Sequence, residues 1–265
     1  MESKIVDTNI EISQAGRAER YWRGKRVHHK SSNPGRMTVD LHKILKTYNL
    51  KGFEFGNWLN NDERYDRVIA CEDSLAELAK ILGSKNMGMN CLLGVAFGAR
   101  GKSRALAHYE PTFNMINITK EKGDGCLAHE LAHALDYNIG RYHDQNKSYN
   151  FLSGGDSIAM SLKNNIGGPT RNAMNALIDE ANVFIRPRIK AREDYWKERT
   201  ELWARLFEQY CSYKLKKNGS MDKFLTQSWL YYTSSAVYWT ETEFKQLLPS
   251  IEKLVGCIKT VLNSK

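Results

Sequence analysis

Apolar residues recur along this chain with two different periods, and the change between them organises it. Leu41, Ile44, Leu45 and Tyr48 have helical spacing and predict a short helix over 41–48. Val68, Leu75, Leu78, Ile81 and Leu82 form the stripe of a longer helix over 62–82, stopped by Gly83. Between them, Gly52-Phe53-Glu54-Phe55-Gly56-Asn57-Trp58 is short, aromatic and flanked by glycine, so it predicts a turn or brief strand. The period then shortens. Residues 91–99, 105–109 and 114–119 are apolar runs broken by Gly101-Lys102-Ser103 and Glu110-Pro111-Thr112; they predict a small mixed or antiparallel sheet.

Everything after Gly125 reads as helices and loops. Residues 174–185 form an apolar helix. Residues 240–263 are amphipathic, with Phe244, Leu247, Leu248, Ile251, Leu254, Val255 and Ile258 inward and Pro249 predicting a kink or restart. The aromatics of Trp229-Leu230-Tyr231-Tyr232 and Tyr238-Trp239 predict packing of the last helices rather than a groove. Helix, sheet, then helices is an α+β order.

Composition narrows the class. With 265 residues, 42% hydrophobic and 26% charged, the chain can bury a full core and is not a mostly disordered polymer. No apolar run approaches the roughly 18 residues of a membrane span. The first residues, Met-Glu-Ser-Lys-Ile-Val-Asp, have no signal-peptide core. The five cysteines (Cys71, Cys91, Cys126, Cys211 and Cys257) lack CxxC spacing and read as free thiols of a reducing, cytoplasmic compartment. The formal net charge of +9 invites an acidic partner. It concentrates in residues 16–51, where Arg17, Arg20, Arg23, Lys25 and Arg26 surround Tyr21 and Trp22. Such an arm can lie on nucleic-acid phosphates, or it is simply solvated. The reading is a basic N-terminal segment over 1–36 and one domain over 37–265, with a C-terminal helical lobe from about 216.

The chemistry lies in Leu127-Ala128-His129-Glu130-Leu131-Ala132-His133-Ala134-Leu135-Asp136. His129 and His133, four apart, stack one turn above the other on a helix and can aim a ring nitrogen each at one metal ion. Glu130, rotated about 100° from His129, can reach a metal-activated water without occupying a coordination position, which suits a general base. Asp124 is the expected N-cap, Asn138 and Gly140 the expected stop, and Leu127, Leu131, Ala134 and Leu135 the core face.

A third protein ligand is required. Asp136 shares the helical face, although a carboxylate there more often orients an imidazole. In Glu201-Leu202-Trp203-Ala204-Arg205-Leu206-Phe207-Glu208, the residues Glu201, Arg205 and Glu208 make one charged helical face. Taken alone, that face is most simply a solvated, salt-bridged stripe. Asp179-Glu180 is a weaker candidate.

Several stretches resemble the zincin-like domain, first type, associated with large polyvalent proteins of phages and conjugative elements. They are 52–58, Ala96-Phe97-Gly98-Ala99-Arg100-Gly101, Ala107-His108-Tyr109-Glu110-Pro111, Ile116-Asn117-Ile118-Thr119-Lys120, 125–130, 133–136 and 201–208. Leu131 departs from the resemblance, which leads one to expect tryptophan there. The resemblance implies a zincin-like fold and a zinc metallopeptidase, and lends weight to Glu201 or Glu208. In the expected scheme His129, His133 and Glu201 hold zinc, Glu130 is the base, and a peptide carbonyl is attacked. His108, Tyr109 and Arg100 are candidate oxyanion donors. Asp136 would orient a histidine, and Arg205 would neutralise Asp136 or Glu208. The expected partner is a protein or peptide substrate, not a membrane. The competing reading is a nucleic-acid-binding or host-interaction protein with a structural zincin core.

Overall fold

The computed structural model describes residues 18–19, 39–57, 59–100, 105–119, 123–143, 151–154, 167–189 and 194–264. The basic residues Arg17, Arg20, Arg23, Lys25 and Arg26 lie outside that set, as do Trp58, Gly101-Lys102-Ser103 and Lys120. The chain clusters into two compact units, residues 1–127 and 128–265. It is α+β and mostly helical, and among the described residues the strands fall in the first unit. No helix among the described residues is long and apolar enough to cross a membrane.

The first unit contains β1 (Ala18–Glu19), α1 (Leu41–Tyr48), β2 (Phe53–Gly56), α2 (Asn61–Leu82), β3 (Gly94–Phe97), β4 (Ala107–Glu110) and β5 (Met115–Ile118). The sheet runs β1-β2-β3-β5-β4. Its core is mixed: β2, β3 and β5 are parallel, and β4 joins β5 antiparallel. The two-residue β1 pairs antiparallel with β2. Parallel β2 and β3 need a crossover, which α2 supplies. The sequence left 52–58 open between turn and strand; the pairing of β2 with β3 decides for strand.

Strand alternation sorts this sheet into two faces. Phe53, Phe55 and Phe97 stack on one, with ring centroids 5.8 and 5.7 Å apart from Phe97. Glu54, Ala96, Asn117 and His108 share one register row on the other. Glu54 is fully buried, and its charge is met by Arg100 at 2.8 Å; Arg100 also reaches Glu110 at 3.2 Å and lies over Phe113.

Capping follows the local sequence. Asn60 and Glu63 form a capping box on α2, and Gly83 ends it in a left-handed conformation. The expected run 91–99 shortens to Gly94–Phe97 because Met89, Asn90 and Cys91 all have positive φ, which no strand accepts. That left-handed stretch is tied to the end of α1 by Gly88 N to Tyr48 O and Cys91 N to Asn49 O, both 2.8 Å.

The second unit contains α3 (Leu127–His143), a 3-10 turn (Leu152–Gly154), α4 (Gly167–Ile185), a second 3-10 turn (Asp194–Lys197), α5 (Arg199–Lys217), α6 (Trp229–Ser234) and α7 (Glu241–Leu262). α7 packs its buried stripe, Phe244, Leu247, Ile251, Leu254 and Ile258, largely against α4, whose Met174, Leu177, Ile178, Ala181 and Ile185 are buried. α7 continues through Pro249 instead of restarting. Trp229, Tyr232, Tyr238 and Trp239 are buried as packing residues, whereas Leu230 and Tyr231 are exposed. α5 is buried on all sides from Glu201 to Ser212, so the solvated stripe expected of Glu201, Arg205 and Glu208 is instead interior.

A Cβ at Gly88 would fall 1.8 Å from the backbone oxygen of Asn49. Gly88→Ala should therefore destabilise the chain by about 1–3 kcal/mol in urea unfolding, through displacement of a backbone segment that has no slack.

Candidate metal centre

His129 and His133 of α3 face Glu201 and Glu208 of α5. α3 places Leu127, Leu131, Ala134 and Leu135 in the core, each no more than 1% exposed, which turns His129 and His133 toward α5. The indole nitrogen of Trp203 donates to Ala132 O at 3.0 Å, fixing the two helices in register at the site. Two framing expectations are corrected. Asp124 does not cap α3, which begins at Leu127; its carboxylate, largely exposed, pairs with Arg67. The helix also runs past Asn138 and Gly140 to His143: the Asn138 amide donates to Ala134 O at 2.8 Å, and Gly140 is not left-handed.

His133 Nε2 lies 3.2 Å from His129 Nε2 and 3.3 Å from a Glu201 oxygen, and the other Glu201 oxygen is 3.5 Å from His129 Nε2. Among the described residues, His129, His133 and Glu201 are the group whose ligand atoms all fall within 4.8 Å of one another, and they could hold a metal ion. The environment fits a cation. Glu201 is 6% exposed, and its Oε2 has no hydrogen-bond partner among the described residues. Its place in the first turn of α5 puts it at the positive end of the helix dipole. Burial alone would raise its pKa, but hydrogen bonds and charge from His129 and His133 hold it well below the usual carboxylate range.

Glu208 meets the opposite side of His129. Its Oε1 is 3.1 Å from Nδ1, and it also accepts from the Tyr238 hydroxyl; its Oε2 accepts from Tyr232 at 3.4 Å. A carboxylate can only accept, so Nδ1 is the donor and Nε2 is left to face Glu201 and His133. Burial would lower the His129 pKa, but the Glu208 charge, hydrogen bonds donated to Glu201 and Glu208, and the Glu130 charge raise it well above the ordinary value. Glu130, next to the ligand pair, is 6% exposed.

Asp136 is fully buried, but both its oxygens go to Ser153: the backbone N–H at 2.7 Å and the hydroxyl at 2.5 Å. His133 acts on it only through charge. Arg205 does not pair with Asp136. Its guanidinium donates to the carbonyls of Glu201, Val237 and Trp196 and lies near Trp196, Tyr238 and Trp239, with Glu201 and Glu208 within its field. Asp179 pairs with Arg199 and Glu180 accepts from Ser250, both at the surface. In the first unit, Arg100 is engaged by Glu54 and Glu110, the Tyr109 hydroxyl donates to Asn114 at 2.8 Å, and His108 is half-buried on β4.

Four site residues escape sequence reasoning: Ser153, Tyr195, Tyr232 and Tyr238. Tyr195 is hydrogen-bonded to Glu201 and lies in the field of Glu130; burial first and Glu201 second push its phenol pKa up. Only the tyrosine-rich 229–239 stretch carries a compositional hint, and that hint reads more simply as packing.

Residues 188–262 match the family model of the large polyvalent protein-associated domain 1. This span, well under half the chain, includes Glu201, Arg205 and Glu208 but not the α3 histidines. It supports an association with large polyvalent proteins and does not speak to peptidase activity. No curated protein and no solved structure matches the chain.

Burial raises Asp136 from 3.8 to about 6, against the opposing Ser153 hydrogen bonds. Between those values the folded chain keeps a proton that the unfolded chain has released, so this group's contribution to stability falls as pH rises through the window. Metal-free protein unfolded by urea at pH 4 to 7 should lose up to about 3 kcal/mol from this source, at 1.36 kcal/mol per pKa unit. Asp136→Asn should remove that component of the slope.

Proposed function

We propose that this chain is a zinc-dependent metallopeptidase that hydrolyses peptide bonds of a protein substrate and is encoded by a phage or other mobile element. One observation carries the reading. His129, His133 and Glu201, from helices far apart in sequence, bring two imidazole nitrogens and a carboxylate within 4.8 Å. Two nitrogens and one oxygen are the donor set of a catalytic zinc site that keeps its fourth position open. The closeness of the two Nε2 atoms and the unpartnered buried oxygen of Glu201 are both relieved by a cation between them.

Bound zinc supplies Lewis-acid activation of water and of the scissile carbonyl. Glu130, beside the ligands but not among them, takes the proton of the attacking water and delivers it to the departing amine. Tyr195 donates its one hydroxyl proton to Glu201 and so would steady that ligand rather than stabilise the developing oxyanion. Arg100 and Tyr109 have other partners for their donors. The low exposure of Glu130 and Glu201 keeps their charges in a poorly screened environment, where they act strongly on the reacting atoms.

Purified protein should contain close to one zinc per chain. Glu130→Gln should retain the metal and lose about 10²–10⁴-fold in peptide hydrolysis, while Glu201→Ala should lose the metal. Metal analysis beside a peptide-cleavage assay reads both; hydrolysis undiminished in Glu130→Gln would refute the scheme. Tyr195→Phe should weaken zinc binding, read by the same metal analysis.

A further inference from the structure

Three neighbouring residues of α5 grip three successive residues of the loop before α7. Arg205 donates to Val237 O, Glu208 accepts the Tyr238 hydroxyl, and Gln209 both donates to Trp239 O at 2.7 Å and accepts from Trp239 N at 3.2 Å. Arg188 adds a hydrogen bond to Tyr238 O at 3.0 Å. The segment is therefore fixed relative to the helix that supplies Glu201.

A second phenol reaches the same carboxylate. The Tyr232 hydroxyl oxygen accepts the Gln227 N–H at 3.0 Å, so its single proton is left for Glu208. Tyr232 is fully buried, Glu208 is 4% exposed, and the Tyr232 and Tyr238 rings pack edge to face at 4.8 Å. Glu208 thus meets the Tyr238 hydroxyl and the His129 N–H at Oε1 and the Tyr232 hydroxyl at Oε2.

We propose that Tyr238 and Tyr232 are positioning residues of the metal centre: by clamping Glu208 against Nδ1 of His129 they set the tautomer and ring angle that present Nε2 to the ion. The proposal rests on reading His129, His133 and Glu201 as metal ligands. A glutamate side chain has three rotatable bonds, so burial alone does not aim its carboxylate. Hydroxyl donors on both oxygens hold it in one orientation, with Oε1 against the imidazole N–H, which raises that ligand's basicity. The hydroxyls, not the rings, carry this role, since phenylalanine would fill the same volume. All the clamping residues lie within the span 188–262, so the family-matched segment supports a histidine outside itself.

The test uses the full-length chain stripped of metal. Zinc affinity is measured by competition with a chromogenic chelator, and cobalt(II) absorption bands report ligand geometry. Tyr238→Phe should weaken zinc binding about tenfold and shift the cobalt bands; Tyr232→Phe, with the longer contact, should weaken it less. In a Glu208→Ala background, Tyr238→Phe should have no further effect, because the tyrosine acts through the carboxylate. Circular dichroism should report an unchanged metal-free fold. Wild-type affinity and cobalt spectra in both phenylalanine variants would overturn the clamp, as would an equal loss with and without Glu208. If the wild-type chain itself takes up no zinc, the metal reading falls and the clamp with it; if it binds zinc and the variants bind as tightly, only the clamp falls.

Discussion

Ionised side chains in an interior must find opposite charge or hydrogen-bond partners, and α5 carries three of them into the core of its unit. Glu201, Arg205 and Glu208 are each no more than 6% exposed. Left unpaired, each would cost several kcal/mol. Two of the solutions converge on His129, which has Glu201 near one ring nitrogen and Glu208 at the other. Arg205 is satisfied by three backbone carbonyls and flanked by aromatic rings. Much of the surrounding order follows from these demands: the Trp203 bond to α3, the grip on residues 237–239, and the burial of Tyr232 and Tyr238.

The sheet unit solves a smaller version of the same problem within itself. Glu54 sits on a strand in a fully buried position, and Arg100 meets it while spanning to Glu110. Residues whose type alone suggests catalysis can thus be consumed by local electrostatics. Arg100 is a cation satisfied by two carboxylates, whereas Glu201 is a carboxylate that faces two imidazole nitrogens at 3.3 and 3.5 Å. That difference gives Glu201 the stronger claim to chemistry.

Much was legible along the chain because it depends on neighbours in sequence. The Gly83 stop of α2, the apolar stripe of α7, the helical register of His129, Glu130 and His133, and the strands Gly94–Phe97 and Met115–Ile118 all arise from spacing and local backbone preference. The misreadings have local causes as well. Asp124 resembles a cap until Arg67 claims it, and Gly140 resembles a stop although a glycine only permits a left-handed end.

Other features depended on residues remote in sequence. Glu201, Glu208 and Asp136 are equivalent as carboxylates near a histidine pair. The fold separates them by partner: Ser153 holds Asp136, two tyrosines hold Glu208 on the far nitrogen of His129, and Glu201 alone joins both Nε2 atoms. The charged stripe of α5 likewise has the periodicity of a surface helix and is interior, because periodicity records which residues share a face and not what covers it. By itself, then, the sequence determined the helices, the strands and the histidine–glutamate–histidine unit, which are set within a few residues of backbone. The third ligand, the tyrosines behind Glu208 and the burial that gives these charges their strength were decided only by tertiary packing, since a carboxylate's role depends on what lies within about 4 Å of it in space.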